Sequence, residues 1–160
     1  MNNKLGLDGY NFERVEKELV KKKFLLLDEM FTFNEQKYNL DFLNKLNEFL
    51  FRDIYYDEDL GLRNLKDSQI KLLEKRLELI VNICVFNPQK NEQILYLISQ
   101  IWDIQPFNTG NTRTLIGFLK ILSSAFLLNI DIDLDKNIKS NSEIFQSNDI
   151  VNQKRLTKNN

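Results

Sequence analysis

Apolar residues recur at the three- and four-residue spacing of a helix along almost the whole chain, and this predicts an all-α fold. Phe12, Val15, Leu19, Leu26 and Met30 mark a first helix, capped by Asn11 and running to about Glu29. Met1 to Tyr10 is polar and is expected to be loose, and Asn34 to Tyr38 reads as a loop. Phe42, Leu43, Leu46, Phe49, Leu50 and Ile54 line one face of a second helix, from about Leu40 to Tyr55. Tyr56 to Asn64 breaks the period with charge and a glycine, and predicts an exposed excursion or short hairpin. Ser68 can cap a third helix that reaches about Phe86, with Ile70, Leu73, Leu77, Ile80 and Cys84 on one face. Asn87-Pro88 ends it, because a residue before proline is biased away from helical geometry. A fourth helix covers about Asn91 to Asp103.

The fifth helix, about Arg113 to Asn129, is apolar almost all round: Leu115, Ile116, Phe118, Leu119, Ile121, Leu122, Ala125, Phe126, Leu127 and Leu128. Such a helix belongs at the centre of a bundle. Gly117 within it costs about 1 kcal/mol against alanine and suggests the close approach of a neighbouring helix. Ile130 to Asp135 alternates like an extended linker. A last short helix is expected around Ser142 to Leu156, with a disordered tail from Thr157 to Asn160. Asp131, Asp133 and Asp135 imitate a calcium loop. Lys136 at the sixth position and Ser142 at the twelfth exclude an EF-hand.

Between the fourth and fifth helices lies the polar stretch Gln105-Pro106-Phe107-Asn108-Thr109-Gly110-Asn111-Thr112-Arg113-Thr114. A turn of this kind opening a helix offers backbone N–H groups and the positive end of the helix dipole, which suit an anion. The alternative is a plain helix connection in which Thr112 caps the next helix.

At 160 residues the chain is expected to form one domain. Its net charge of -1 provides no footprint for nucleic acid or an anionic membrane. Lys21-Lys22-Lys23 sits among acidic neighbours and reads as a solvated helix face. One cysteine, Cys84, precludes a disulfide within the chain and points to a cytoplasmic setting. No apolar run suits a signal peptide or a membrane span. The chain has no histidine, which removes the commonest general base near neutral pH and the commonest metal ligand.

Ile101-Trp102-Asp103-Ile104 and the loop that follows it resemble the signature of the Fic (fido) domain, His-Pro-Phe-x-Asp/Glu-Gly-Asn-Gly-Arg-x-x-Arg between two helices. Leu50-Phe51-Arg52-Asp53-Ile54-Tyr55 is similar to the segment before the flap of Fic proteins, and Asn3-Lys4-Leu5-Gly6-Leu7 to the start of many short bacterial ones. The resemblance covers nearly the whole chain and implies a Fic-like helical bundle with a central buried helix and a short flap. It also implies transfer of AMP from ATP to a hydroxyl side chain of a target protein. Gln105 stands at the position of the histidine that takes the target's proton, and Thr109 at that of a Mg²⁺-holding carboxylate. Gly110, Asn111 and Thr112 stand where the family cradles phosphates. Arg113 matches the first arginine, Ile116 replaces the second, and Phe107 matches the aromatic anchor.

Four departures weaken this chemistry. The Gln105 amide has no useful basicity, and lost general-base assistance typically costs on the order of 10²- to 10⁴-fold in rate. Thr109 offers Mg²⁺ only a neutral oxygen. Thr112 places a branched side chain where the family has glycine, and Ile116 removes a charged clamp. Asn47 also falls where many relatives carry a histidine. What remains (Pro106, Phe107, Gly110, Asn111, Arg113) fits either a surviving nucleotide site for ATP or a loop tied to its neighbours. No inhibitory Ser/Thr-x-x-x-Glu-Gly/Asn motif is present.

Two functions follow from the resemblance. One is an impaired Fic-like protein that acts by binding a partner protein: an active relative, a regulator or a target. The other is an active transferase that recruits Asp53, Asp57, Glu58 or Asp59. A third possibility is a helical protein with no link to nucleotides.

Overall fold

The computed structural model describes residues 2–31 and 37–130. Five α-helices form the described part: α1 (Gly9–Met30), α2 (Leu40–Phe51), α3 (Asp67–Phe86), α4 (Asn91–Ile104) and α5 (Asn111–Phe126). A short 3-10 turn, Asp57–Asp59, lies between α2 and α3. The all-α expectation holds. The linker, last helix and tail expected beyond Ile130 fall outside the described residues, as does most of the loop expected at Asn34 to Tyr38.

α5 is the centre of the bundle and packs against each of the other four helices. Thr114 to Leu119, Ile121 and Leu122 are buried on it, as its all-round apolar pattern requires. Gly117 lies close against α1. A Cβ there would stand 2.9 Å from Cε1 of Phe24. The helix stops at Phe126, short of Asn129, because Leu127 turns into left-handed geometry at φ 54°. Leu127 is thereby 88% exposed rather than central.

α1 presents a different face from the one its apolar residues suggest. Its buried residues are Glu16, Val20, Phe24 and Leu27, while Leu26 and Met30 are exposed. The buried stripe passes through a carboxylate, so hydrophobicity alone misplaces it. The helix begins at Gly9 after Asp8, earlier than an Asn11 cap would allow.

Residues 2–8 are held rather than loose. Asn3 forms an antiparallel bridge with Tyr55, and the Lys4 N–H donates to the Ile54 carbonyl at 2.7 Å. Lys4 Nζ reaches the Arg52 carbonyl at 2.8 Å. Both acceptors lie just past the end of α2. α2 ends at Phe51, not Tyr55, and Asn39 caps its start by accepting from the Phe42 N–H. α3 starts at Asp67, one residue before the expected Ser68 cap. Gln69 Oε1 accepts there from the Lys66 N–H at 3.0 Å. Within the lysine run, Lys23 is not simply solvated. It pairs with Asp53 at 2.9 Å and lies over the Phe49 ring.

Candidate functional site

The loop from Gln105 to Gly110 joins the C-terminus of α4 to the N-terminus of α5, and two left-handed residues shape it. Gln105 closes α4 at φ 52°, and Gly110 opens α5 at φ 72°. Thr112 is therefore not the cap. It sits inside the first turn of α5, and its Oγ1 accepts from Trp102 Nε1 at 3.0 Å.

Gly110 has a steric reason as well as a conformational one. A Cβ at this position would lie 2.2 Å from Cε2 of Phe51. The ring of a fully buried α2 residue fills the space that the missing side chain leaves.

Asn47 on α2 is wholly buried and makes three hydrogen bonds through its amide. Its Nδ2 donates to the Thr109 carbonyl at 2.9 Å and to Thr114 Oγ1 at 3.0 Å. Its Oδ1 accepts from the Gly61 N–H at 2.8 Å. One amide thus ties the excursion, the loop and α5 to α2. Nothing in the alternation of apolar residues marks it, although a polar residue within the apolar face Leu43, Leu46, Leu50 is a usable signal.

The excursion after α2 pairs with the loop instead of forming a hairpin of its own. Leu62 and Phe107 make an antiparallel bridge, and the Arg63 N–H donates to the Pro106 carbonyl at 2.9 Å. The Arg63 side chain closes the C-terminus of α4. Its Nη2 donates to the Ile104 carbonyl at 2.7 Å and its Nε to the Gln105 carbonyl at 2.6 Å. A cation at this end also meets the negative pole of the helix.

Asn111 folds back on the loop. Its Oδ1 accepts from the Phe107 N–H at 2.9 Å, and its Nδ2 donates to the Phe107 carbonyl at 3.1 Å. Phe107 is buried in the core. Gln105 is exposed, and its Nε2 donates to the Trp102 carbonyl at 2.7 Å.

Arg113 points inward from α5 to α1. Its Nη2 lies 2.5 Å from Oε1 of Glu16, with the two side chains only 12% and 6% exposed. Its guanidinium stacks 4.9 Å from the centre of the Phe51 ring. The other Glu16 oxygen accepts from the Tyr55 hydroxyl. Burial first, and then this bond, push the Tyr55 hydroxyl up to about 12; the Thr109 hydroxyl beside it acts in the opposite direction. Arg113 Nη1 is buried and has no hydrogen-bond partner among the described residues.

The structure therefore brings Phe107, Thr109, Gly110, Asn111, Thr112 and Arg113 together around one loop, with Gln105 at its rim. Of Glu16, Asp53, Asp57 and Glu58, Glu16 alone is paired with a loop residue. Asp57 and Glu58 are exposed on the 3-10 turn, and Lys23 holds the Asp53 carboxyl below its ordinary range. Among the described residues no group of three His, Cys, Asp or Glu side chains could hold a metal ion. No helix among them is long and apolar enough to cross a membrane. No model of a known protein family matches this chain, and no curated protein matches it significantly.

Proposed function

We propose that this chain is a Fic-like protein impaired for AMP transfer, and that it acts by binding a partner protein in the cytoplasm. The carrying observation is Gln105. The side chain at the position of the family's base is an amide turned back onto its own helix, where its Nε2 donates to the Trp102 carbonyl. An amide in that arrangement has no basic nitrogen to take a proton from a target hydroxyl. The order of helices, the loop between α4 and α5 and the excursion that pairs with it support the resemblance on which the proposal rests.

The test has two arms. The purified chain is incubated with labelled ATP and Mg²⁺ beside candidate targets, and the expected result is no labelled protein. Tagged chain is then used to co-purify proteins from its native cells. Each candidate is remade pure and titrated against the chain, and the expected result is a saturable one-to-one complex. Transfer by the unaltered protein would overturn the impaired reading, and failure of every purified candidate to bind would overturn the partner reading. Should transfer occur, Asp57→Ala and Glu58→Ala would decide whether the acidic turn supplies the missing base.

A further inference from the structure

We infer that the polar loop is a structural joint that has closed its own anion site, and that Glu16 and Phe51 are the residues responsible. The inference rests on the Fic-like reading only for the question it asks, which is whether a nucleotide triphosphate fits here. Three observations say that it does not.

The first is charge. A polyanion is held more firmly where a cation joins the helix N-terminus, and Arg113 is the cation that the loop offers. Its charge is already matched by Glu16 at 2.5 Å inside the bundle. An incoming phosphate would meet a neutral pair, and the Glu16 carboxylate would repel it. Arg113 Nη1 still has a hydrogen to give, but one neutralised donor is a weak hold on a polyanion.

The second is space. Glycine at a phosphate cradle leaves room for the ligand to approach the backbone. At Gly110 the Phe51 ring fills the side on which a Cβ would stand, 2.2 Å from that position, and closes that approach to the backbone. The third is bonding. Asn111 spends both ends of its amide on Phe107, and Thr112 Oγ1 accepts from Trp102. Thr109 is held by its carbonyl to Asn47.

Apart from Arg113 Nη1, these side-chain groups are thus matched within the chain. The loop's work is to fasten α1, α2, the excursion and α5 to one another.

The deciding experiment measures thermal unfolding of the full chain with pyrophosphate, with ATP, and with ATP plus Mg²⁺. It uses the unaltered protein, Glu16→Gln, Arg113→Met and the double variant Glu16→Met/Arg113→Met. The joint predicts no ligand-dependent shift in any of the four. It also predicts a lower midpoint for each single variant and recovery of most of that loss in the double variant, where no charge is left buried alone. A rise in midpoint with pyrophosphate or ATP that Arg113→Met removes would overturn it. So would a rise that appears only in Glu16→Gln, since Glu16 would then be a displaceable stopper over a working site. These outcomes are independent of partner binding, which survives or fails by its own titration.

Discussion

Glu16 of α1 and Arg113 of α5 lie 97 positions apart (113 minus 16) and meet as a buried ion pair, Oε1 to Nη2 at 2.5 Å. Tyr55 holds the second Glu16 oxygen, and the Phe51 ring backs the guanidinium. The pair therefore links the first and last described helices through the end of α2.

Removing one member leaves the other charged and enclosed. Arg113→Met should lower stability by about 3 to 5 kcal/mol, and Glu16→Gln by less because an amide can still accept from Tyr55. Urea unfolding followed by Trp102 fluorescence would check both. Equal and negligible losses would mean that the pair is solvated in solution.

Asn47→Ala should cost at least about 2 kcal/mol, because it strands the Gly61 N–H and the Thr114 hydroxyl inside the protein. Asn47→Asp should be no better, since a carboxylate cannot donate to the Thr109 carbonyl. Denaturant midpoints that match those of the unaltered chain would show that the amide is dispensable.

Gly110→Ala combines a left-handed backbone with a collision against Phe51 and should cost about 2 to 4 kcal/mol. Gly6→Ala shares the left-handed backbone but meets nothing within 4 Å, so it should cost about 1 kcal/mol. Comparing the two by thermal unfolding separates collision from conformation.

Alkali should unfold the protein. Burial raises the Cys84 thiol from 9.0 to about 12, and Tyr55 rises from 10.0 to about 12. Tyr38 is also raised, by burial first and the neighbouring Cys84 second. The folded chain keeps these protons where the unfolded chain releases them. Their stabilisation is full below about pH 9 and fades as pH rises toward about 12. Urea midpoints measured across that window should fall. Cys84 labelling by a thiol reagent should rise in step, and a flat profile would contradict the assignment.

Most of the architecture is legible from periodicity. The helix count and order among the described residues, the central α5 and the close approach at Gly117 all follow from where apolar residues and glycine fall. The ends are less so. α2 stops at Phe51 because the next residues receive the N-terminal segment, a tertiary contact that local spacing does not encode. α1 shows the larger gap. Glu16 precedes Val20 by four residues and Phe24 by eight, so it shares their stripe, yet its charge reads as solvent-facing. Only Arg113, far along the sequence, makes its burial tolerable. At the loop, the sequence identifies Gly110, Asn111 and Arg113 as a group but not what they touch. Phe51 meets Gly110 and Arg113, Glu16 pairs with Arg113, and Asn111 turns back on Phe107, while Asn47 and Arg63 hold the neighbouring loop carbonyls.

The Asn47 amide has a consequence for the order of assembly. Its three bonds span 14, 62 and 67 positions of sequence. The two longer bonds cannot form until distant segments have already met, and the entropy of closing those spans is lost before either bond repays it. The loop should thus be among the last parts to become native. Asn47→Ala should speed unfolding while leaving the folding rate nearly unchanged.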